Sequence, residues 1–376
     1  MNWVFLDFVP WDYDVATPLT RPLGGSQSAL CYLAAALARR GHSVTTLTAI
    51  SQPRQIDGVR CLPHENIPEE VFASPDTLTI VLNGPADIGR AVREAIPQGR
   101  RVILWTQHAH DQPAMLPLKD GACVTLWDRI VCISEWQQRM FEGELGVPGA
   151  KINVLRNAIG PAFVNMFRDA THLADLKSKT LRLAYTSTPF RGLDVLLACF
   201  PALYRRHPNC RLDVFSSMQV YGEPDGQDAY QSLYAQCKKT PGVNYRGSVS
   251  QTILATELAG ATMLAYPNTF AETGCIAAME ALAAGLVVVS SNLGALPETC
   301  GPWGRLVPPV GAGHSAQQFA VDFAKAVGQS LNELAASPAA FWQRQFEQSQ
   351  AISGACNWDV RAAEWEKAAA GWLKDR

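Results

Sequence analysis

Two glutamates eight residues apart, Glu272 and Glu280, stand in NTFAETGCIAAMEALAAGLVVVSSNLGALPE, directly after the apolar run ATMLAYP. A carboxylate accepts hydrogen bonds from hydroxyl groups and faces positive charge. Eight residues make about two turns of helix, so Glu280 can reach the ligand that Glu272 touches if that ligand is extended. Thr273 is placed to cap the helix, and Gly274 lets backbone approach closely. The amides of Cys275 and Ile276 can then face an anion such as a phosphate. Two isolated glutamates read more simply as an acid at a positive helix end and a solvated helix residue. Other segments change that balance.

The first of these is AYTSTPFRGLDVLLACFPAL, where Arg191 precedes Gly192 and follows Ser187 and Thr188. A guanidinium offers a planar set of donors that suits phosphate oxygens, and the hydroxyls add more. In VNYRGSVSQTILATELAGA the positions to watch are Arg246, Gly247 and Ser248. Gly24 and Gly25, in RPLGGSQSALCYLAAALARRGH, open a helix-like run, with Ser26 as a donor or cap; this is not GxGxxG, and a plain turn explains it too. WTQHAHDQP carries His108, His110 and Asp111 after a strand-like run, which reads as a polar loop, a ligand contact or, with further ligands, a metal site. Asp12 and Asp14 in WDYD form an Asp-x-Asp triplet, but they follow the first strand and read as ordinary loop aspartates.

These residues need a scaffold that sets loops at strand ends. Short apolar runs alternate with longer helix-like segments, the pattern of a parallel sheet covered by crossover helices. In the first half the strands are WVFLDFV, HSVTTLTAI, DTLTIVLN, RVILWTQ and RIVCIS, with helices after Gly25, near Ile88 and after Ser134. A second series runs through LRLAYTS, CRLDVFSS, GVNYRG, ATMLAYP and GLVVVSS. The fold class is α/β with two Rossmann-like domains, residues 1–165 and 180–350, joined by the polar stretch FRDATHLADLKSKT near residues 160–180. The tail WDVRAAEWEKAAAGWLK sets tryptophans 358, 365 and 372 on one helical face, suited to docking. Each loop singled out above then lies past a strand's carboxyl end, where open sheets collect ligands.

Composition agrees with a globular chain. With 376 residues at about 150 per domain, two or three domains are expected, and 48% hydrophobic residues can fill their cores. A formal net charge of −2 gives no overall attraction to nucleic acid or anionic lipid. No apolar run reaches the length of about 18 residues that spans a membrane, and the amino-terminal stretch lacks an export pattern. Peripheral membrane contact stays open. Ten dispersed cysteines without CxxC read as buried free thiols in a reducing compartment, so a cytoplasmic protein is expected.

The Glu272–Glu280 stretch resembles the E-x7-E signature of retaining GT-B glycosyltransferases of group 1, similar to family 4. Here ETGC stands where the family has Glu, a small residue, Phe and Gly. The resemblance extends through YPNTFAE, GLVVVSSNLGALPE and the Arg191–Gly192 pair, which stands for the family's Lys-Gly; the family's preceding Gly-Arg is absent. It implies two Rossmann-like domains facing a cleft, with the tail helix packing back on the first. The carboxyl-terminal domain would bind a UDP- or GDP-linked sugar. Glu272 would hold sugar hydroxyls and Glu280 the ribose. Gly274, Cys275 and Ile276 would lie near sugar and diphosphate, with Arg191, Ser187, Thr188 and Gly192 beside the leaving group. Arg246, Gly247 and Ser248 would line the base pocket, and Gly24 and Gly25 would approach a phosphate. His108, with His110 as its rival, would meet the transferring sugar or the acceptor in the amino-terminal domain. The implied acceptor is a saccharide, a lipid-linked group or a small molecule, and neither metal nor cofactor is implied. The resemblance leaves two other readings open, a GT-B nucleotide-sugar epimerase and a noncatalytic nucleotide-sugar-binding protein.

Overall fold

The computed structural model describes residues 1–65, 67–177, 180–224, 226–311 and 313–374. It divides into two compact units. The first comprises Met1–Pro18, Gly24–Ala158 and Trp358–Arg376, and the second Leu19–Leu23 and Ile159–Asn357.

The first unit is built on β1 (Asn2–Leu6), β2 (Ser43–Thr48), β3 (Arg54–Ile56), β4 (Val59–Pro63), β5 (Thr77–Leu82), β6 (Arg101–Trp105), β7 (Arg129–Cys132) and β8 (Ile152–Val154). Their order is β3-β4-β2-β1-β5-β6-β7-β8, and every pairing is parallel except β3 with β4. All six residues of β5 are buried, which is why such strands read as continuous apolar runs rather than alternating ones. The β3–β4 hairpin turns on Asp57 and Gly58, both at positive φ, the geometry of a two-residue loop between twisted strands. Helix Gly25–Arg39 follows β1, and helix Glu135–Leu145 starts at Ser134, whose hydroxyl accepts from the Gln137 N–H at 3.0 Å.

The tail forms helix Trp358–Trp372 and packs within this unit. Trp365 is fully buried, with its ring 6.3 Å from that of Trp3 and 5.1 Å from that of Trp105. Trp358 lies 6.3 Å from Tyr32, and the Trp372 indole donates to Asn153 at 3.0 Å. The three tryptophans share one face because their spacing is close to two helical turns.

The second unit holds β9 (Leu181–Tyr185), β10 (Cys210–Val214), β11 (Val243–Tyr245), β12 (Met263–Tyr266), β13 (Val287–Ser291) and β14 (Gly304–Val307). The order β11-β10-β9-β12-β13-β14, all parallel, is that of a doubly wound nucleotide-binding sheet. The winding reverses between β9 and β12.

The segment read as a linker near residues 160–180 belongs to this unit's core. Phe163, Phe167 and Leu173 are buried there, and the division falls between Ala158 and Ile159. Helix Ala170–Lys177 ends with a buried Lys177 ammonium donating to the carbonyls of Leu258 and Ala261, so its polarity is satisfied inside. Helix Pro338–Ala355 closes the same core and extends the unit to Asn357, past the expected limit of 350. Ser178 and Lys179, also in the expected linker, lie outside the described residues.

Candidate active site

In the second unit the sheet's reversal brings together two loops distant in sequence. One leaves β9 and carries Ser187, Thr188, Arg191 and Gly192. The other leaves β12 and carries Phe270 and Glu272. An Arg191 Nη donates to Glu272 Oε1 at 2.6 Å, and the Tyr266 hydroxyl donates to the same oxygen at 2.5 Å. Glu272 is 3% exposed, so its charge depends on these donors rather than on water. The Arg191 guanidinium lies 4.5 Å from the Phe270 ring centre and 5.4 Å from that of Phe190. Burial works to lower the Arg191 pKa, but Glu272, with Tyr266 and Tyr221, together more than offset this and hold it well above the usual value.

Glycines and one asparagine allow this approach. Gly192, at φ +102°, lies against the Pro267 carbonyl. Gly294, at φ +63°, fits against the backbone of Glu272, and the next residue, Ala295, donates its N–H to the Glu272 carbonyl at 2.7 Å. Asn268 folds the β12 loop back on itself. Its side-chain oxygen accepts from the Phe270 N–H at 3.0 Å and its amide donates to the Phe270 carbonyl. Ser291 Oγ then donates to the Asn268 carbonyl.

Among the described residues, three buried polar atoms of the β9 loop have no hydrogen-bond partner: Thr186 Oγ1, Thr188 Oγ1 and Arg191 Nε. Ser187 Oγ is 3.4 Å from the Tyr266 hydroxyl.

Helix Ile276–Ala283 begins beyond Gly274, with Cys275 rather than Thr273 at its cap position. Its first helical bond runs from Met279 N to Cys275 O.

Glu280 stands on this helix apart from the Arg191–Glu272 pair in its bonding. It is 2% exposed and accepts from the Gly160 N–H at 3.1 Å. Burial pushes its carboxyl up to about 8, against the pull of Gly160 and the Gln251 side chain.

Arg246 is ion-paired with Glu257 at 2.5 Å, and Glu257 also receives Arg182 at 2.7 Å. Gly247 adopts φ +66°, and Ser248 Oγ meets Ser217 Oγ at 2.6 Å. The three follow β11, on a strand end of the same unit.

In the first unit, His108 follows β6. Its N–H donates to Thr106 Oγ1 at 3.1 Å, and its carbonyl accepts from Gln137, a buried amide that also reaches the Thr106 carbonyl. Burial holds the His108 imidazole below its usual pKa. Its Nδ1 and that of His110 are buried without a partner among the described residues, while the His110 ring packs on Trp136 at 6.3 Å. Gly24 and Gly25 start the helix Gly25–Arg39 with Gly24 as its cap residue, and neither takes positive φ. Asp14 is bound by Arg54 at 2.5 Å. Among the described residues no three His, Cys, Asp or Glu side chains are grouped to hold a metal ion.

Tyr266, Phe190, Phe270, Asn268 and Gly294 are the site residues that the sequence reading did not single out. The apolar end of ATMLAYP was a signal for Tyr266, since the last strand residue before a site loop faces what that loop carries.

A model of group 1 glycosyl transferases matches residues 181–331. Phosphatidyl-myo-inositol mannosyltransferase of Mycolicibacterium smegmatis is 26% identical over 337 residues, covering 80% of this chain and 79% of that one. Sucrose-phosphate synthase of Thermosynechococcus elongatus superposes with a TM-score of 0.71 at 17% identity, covering 100% of both chains. HepE of Anabaena, solved in complex with UDP-glucose, gives 0.67 at 14% identity over 98% of this chain and 99% of that one. The two structural likenesses show the GT-B fold. The segment that matches the group 1 glycosyl transferases carries the sheet on which Arg191 meets Glu272, and over most of its length the chain is similar to an enzyme of glycosyl transfer.

Proposed function

We propose that the protein is a retaining glycosyltransferase that moves a sugar from a UDP- or GDP-linked donor to an acceptor hydroxyl. The observation that carries this reading is the buried Arg191–Glu272 pair at the reversal of the sheet, beside a loop whose Thr186 Oγ1, Thr188 Oγ1 and Arg191 Nε lack partners among the described residues. Buried donors left unsatisfied cost about 1–3 kcal/mol each, and phosphate oxygens would satisfy them. The UDP-glucose in the similar HepE structure and the mannosyl transfer of the mycobacterial relative support a nucleotide-linked hexose.

In this reading Glu272 receives sugar hydroxyls and Glu280 the ribose. Arg191, Ser187 and the amides of Cys275 and Ile276 meet the diphosphate. The bond from the anomeric carbon to the β-phosphate oxygen breaks, with its electron pair leaving on the phosphate. The acceptor oxygen bonds to the anomeric carbon on the same face, and its proton passes to a leaving phosphate oxygen. Donors already in position stabilise the charge as it develops. The first unit receives the acceptor through loops that include His108.

The two carboxylates test this assignment. Glu280→Gln should weaken free nucleoside diphosphate and donor alike, by the about 0.5–1.5 kcal/mol of an uncharged hydrogen bond, since burial keeps this carboxyl protonated up to about pH 8. Glu272→Gln should leave free nucleotide affinity nearly unchanged and depress turnover. Calorimetry with nucleotide and initial rates with donor separate the effects. Indistinguishable variants would sink the assignment.

A further inference from the structure

Arg191 cannot give all its donors to a leaving diphosphate while it remains the chief partner of Glu272. The structure shows a second partner already in place. The Tyr266 hydroxyl donates to the same oxygen of Glu272, from a side chain 1% exposed at the end of β12. Tyr185 packs edge-on against its ring at 5.8 Å and fixes the ring's direction. The Tyr185 hydroxyl in turn donates to the Thr188 carbonyl at 2.8 Å, tying the ring pair to the loop that carries Arg191. Ser187 Oγ stands 3.4 Å from the Tyr266 hydroxyl, on that same loop.

We infer that Tyr266 is a positioning residue, holding the Glu272 carboxylate in place when Arg191 turns its donors to the diphosphate. This rests on the roles proposed above for Arg191 and Glu272. Burial, and then the neighbouring Glu272 charge, push the Tyr266 phenol well above its usual range. The hydroxyl therefore stays protonated, and a donor, at every working pH. A buried carboxylate with neither partner would either lose its charge or swing away from the sugar. With Tyr266 present, the carboxylate keeps one fixed donor throughout, and Arg191 can move without cost to its aim.

The substitution Tyr266→Phe removes the hydroxyl and keeps the ring. Thermal melting should show the variant folded, with free nucleoside diphosphate binding unchanged. Initial rates with donor and acceptor should show kcat reduced about tenfold to a hundredfold, as for loss of a charged hydrogen bond, while donor KM moves less than about twofold. The double variant Tyr266→Phe/Glu272→Gln should be no slower than Glu272→Gln alone, because the tyrosine acts through the glutamate. Independent, multiplying losses would overturn the inference, and so would a normal kcat in Tyr266→Phe when Glu272→Gln is impaired. If Glu272→Gln itself turns over normally, the role given to Glu272 fails first. Should Tyr266→Phe not fold, Tyr266→Trp, whose indole N–H can donate in its place, must retain more kcat than Tyr266→Leu for the inference to stand.

Discussion

Gly192 stands with its Cα against the carbonyl of Pro267, so that a methyl group there would lie 2.0 Å from the oxygen and 2.9 Å from its carbon. The contact is backbone on backbone and has no flexible end to give way. At φ +102° a side chain is strained in any case. Gly192→Ala should therefore separate the Arg191 loop from the Glu272 loop, abolish most transfer and lower stability by at least about 1 kcal/mol. Gly301→Ala, also at positive φ but with open space around it, is the control. It should cost only the strain and keep activity. Denaturant unfolding and initial rates on both variants check this.

Glu280 gives the second unit a stability that falls with rising pH. The folded carboxyl sits at about 8 and the unfolded one at about 4.3. Between those values the native state holds a proton that the unfolded chain has released. Stability is then greatest below about pH 4 as far as this group is concerned, declines across the window, and the loss is complete above about 8. Glu280→Gln should remove this slope and be more stable than the parent at pH 9, by on the order of a few kcal/mol, with the gap closing toward pH 5. Urea melts without nucleotide at several pH values measure it. A parallel slope in both proteins contradicts the assignment.

Arg191→Lys keeps a cation but loses the fork that can serve Glu272 and a phosphate together, and most of its contact with the Phe190 and Phe270 rings. Turnover should fall by about tenfold or more. Folding should be little changed. Calorimetry should show weaker nucleoside diphosphate binding, and a variant with unaltered kcat and affinity would remove Arg191 from the leaving-group role.

Chelator should leave donor turnover nearly unchanged, because Arg191 and the helix start at Cys275 can supply the charge compensation that a divalent ion supplies elsewhere. Loss of most activity after EDTA, with recovery on adding Mn²⁺ or Mg²⁺, is the contrary result.

Trp365→Ala should destabilise the first unit by about 3–5 kcal/mol, since it empties a fully buried position between Trp3 and Trp105. Nucleotide affinity should be retained where the protein stays folded. Tryptophan fluorescence during unfolding, read alongside nucleotide calorimetry, distinguishes the two effects.

The sequence made Arg191 and Glu272 visible separately, through strand-end position and residue type. It did not show that they meet. That contact depends on β9 and β12 being neighbours, which follows from the order of a folded sheet and not from either segment. Gly294 was invisible for the same reason: its need for a bare Cα comes from the Glu272 backbone, on a different loop. The β3–β4 hairpin was legible in principle, because Asp57-Gly58 is a strong turn signal, but the sequence reading did not include it. Thr273 was taken as a cap because its type suits one. The helix instead takes Cys275 as its cap position, two residues later. Polar composition misled at FRDATHLADLKSKT, where Leu173 is buried and the Lys177 ammonium finds carbonyl partners inside the second unit.

The helix Trp358–Trp372 follows the whole second unit in the chain and yet completes the core of the first. During synthesis, residues as early as Trp3 must wait with an unfilled face while the second unit emerges and can fold. Contacts such as Arg39 with Asp359, 320 residues apart, form last. The first unit thus bears the loop-closure cost of the second, which is smaller if the second has already condensed and brought its ends near one another. A lesion that slows folding of the second unit would then leave the first exposed to aggregation, although no residue of the first had changed.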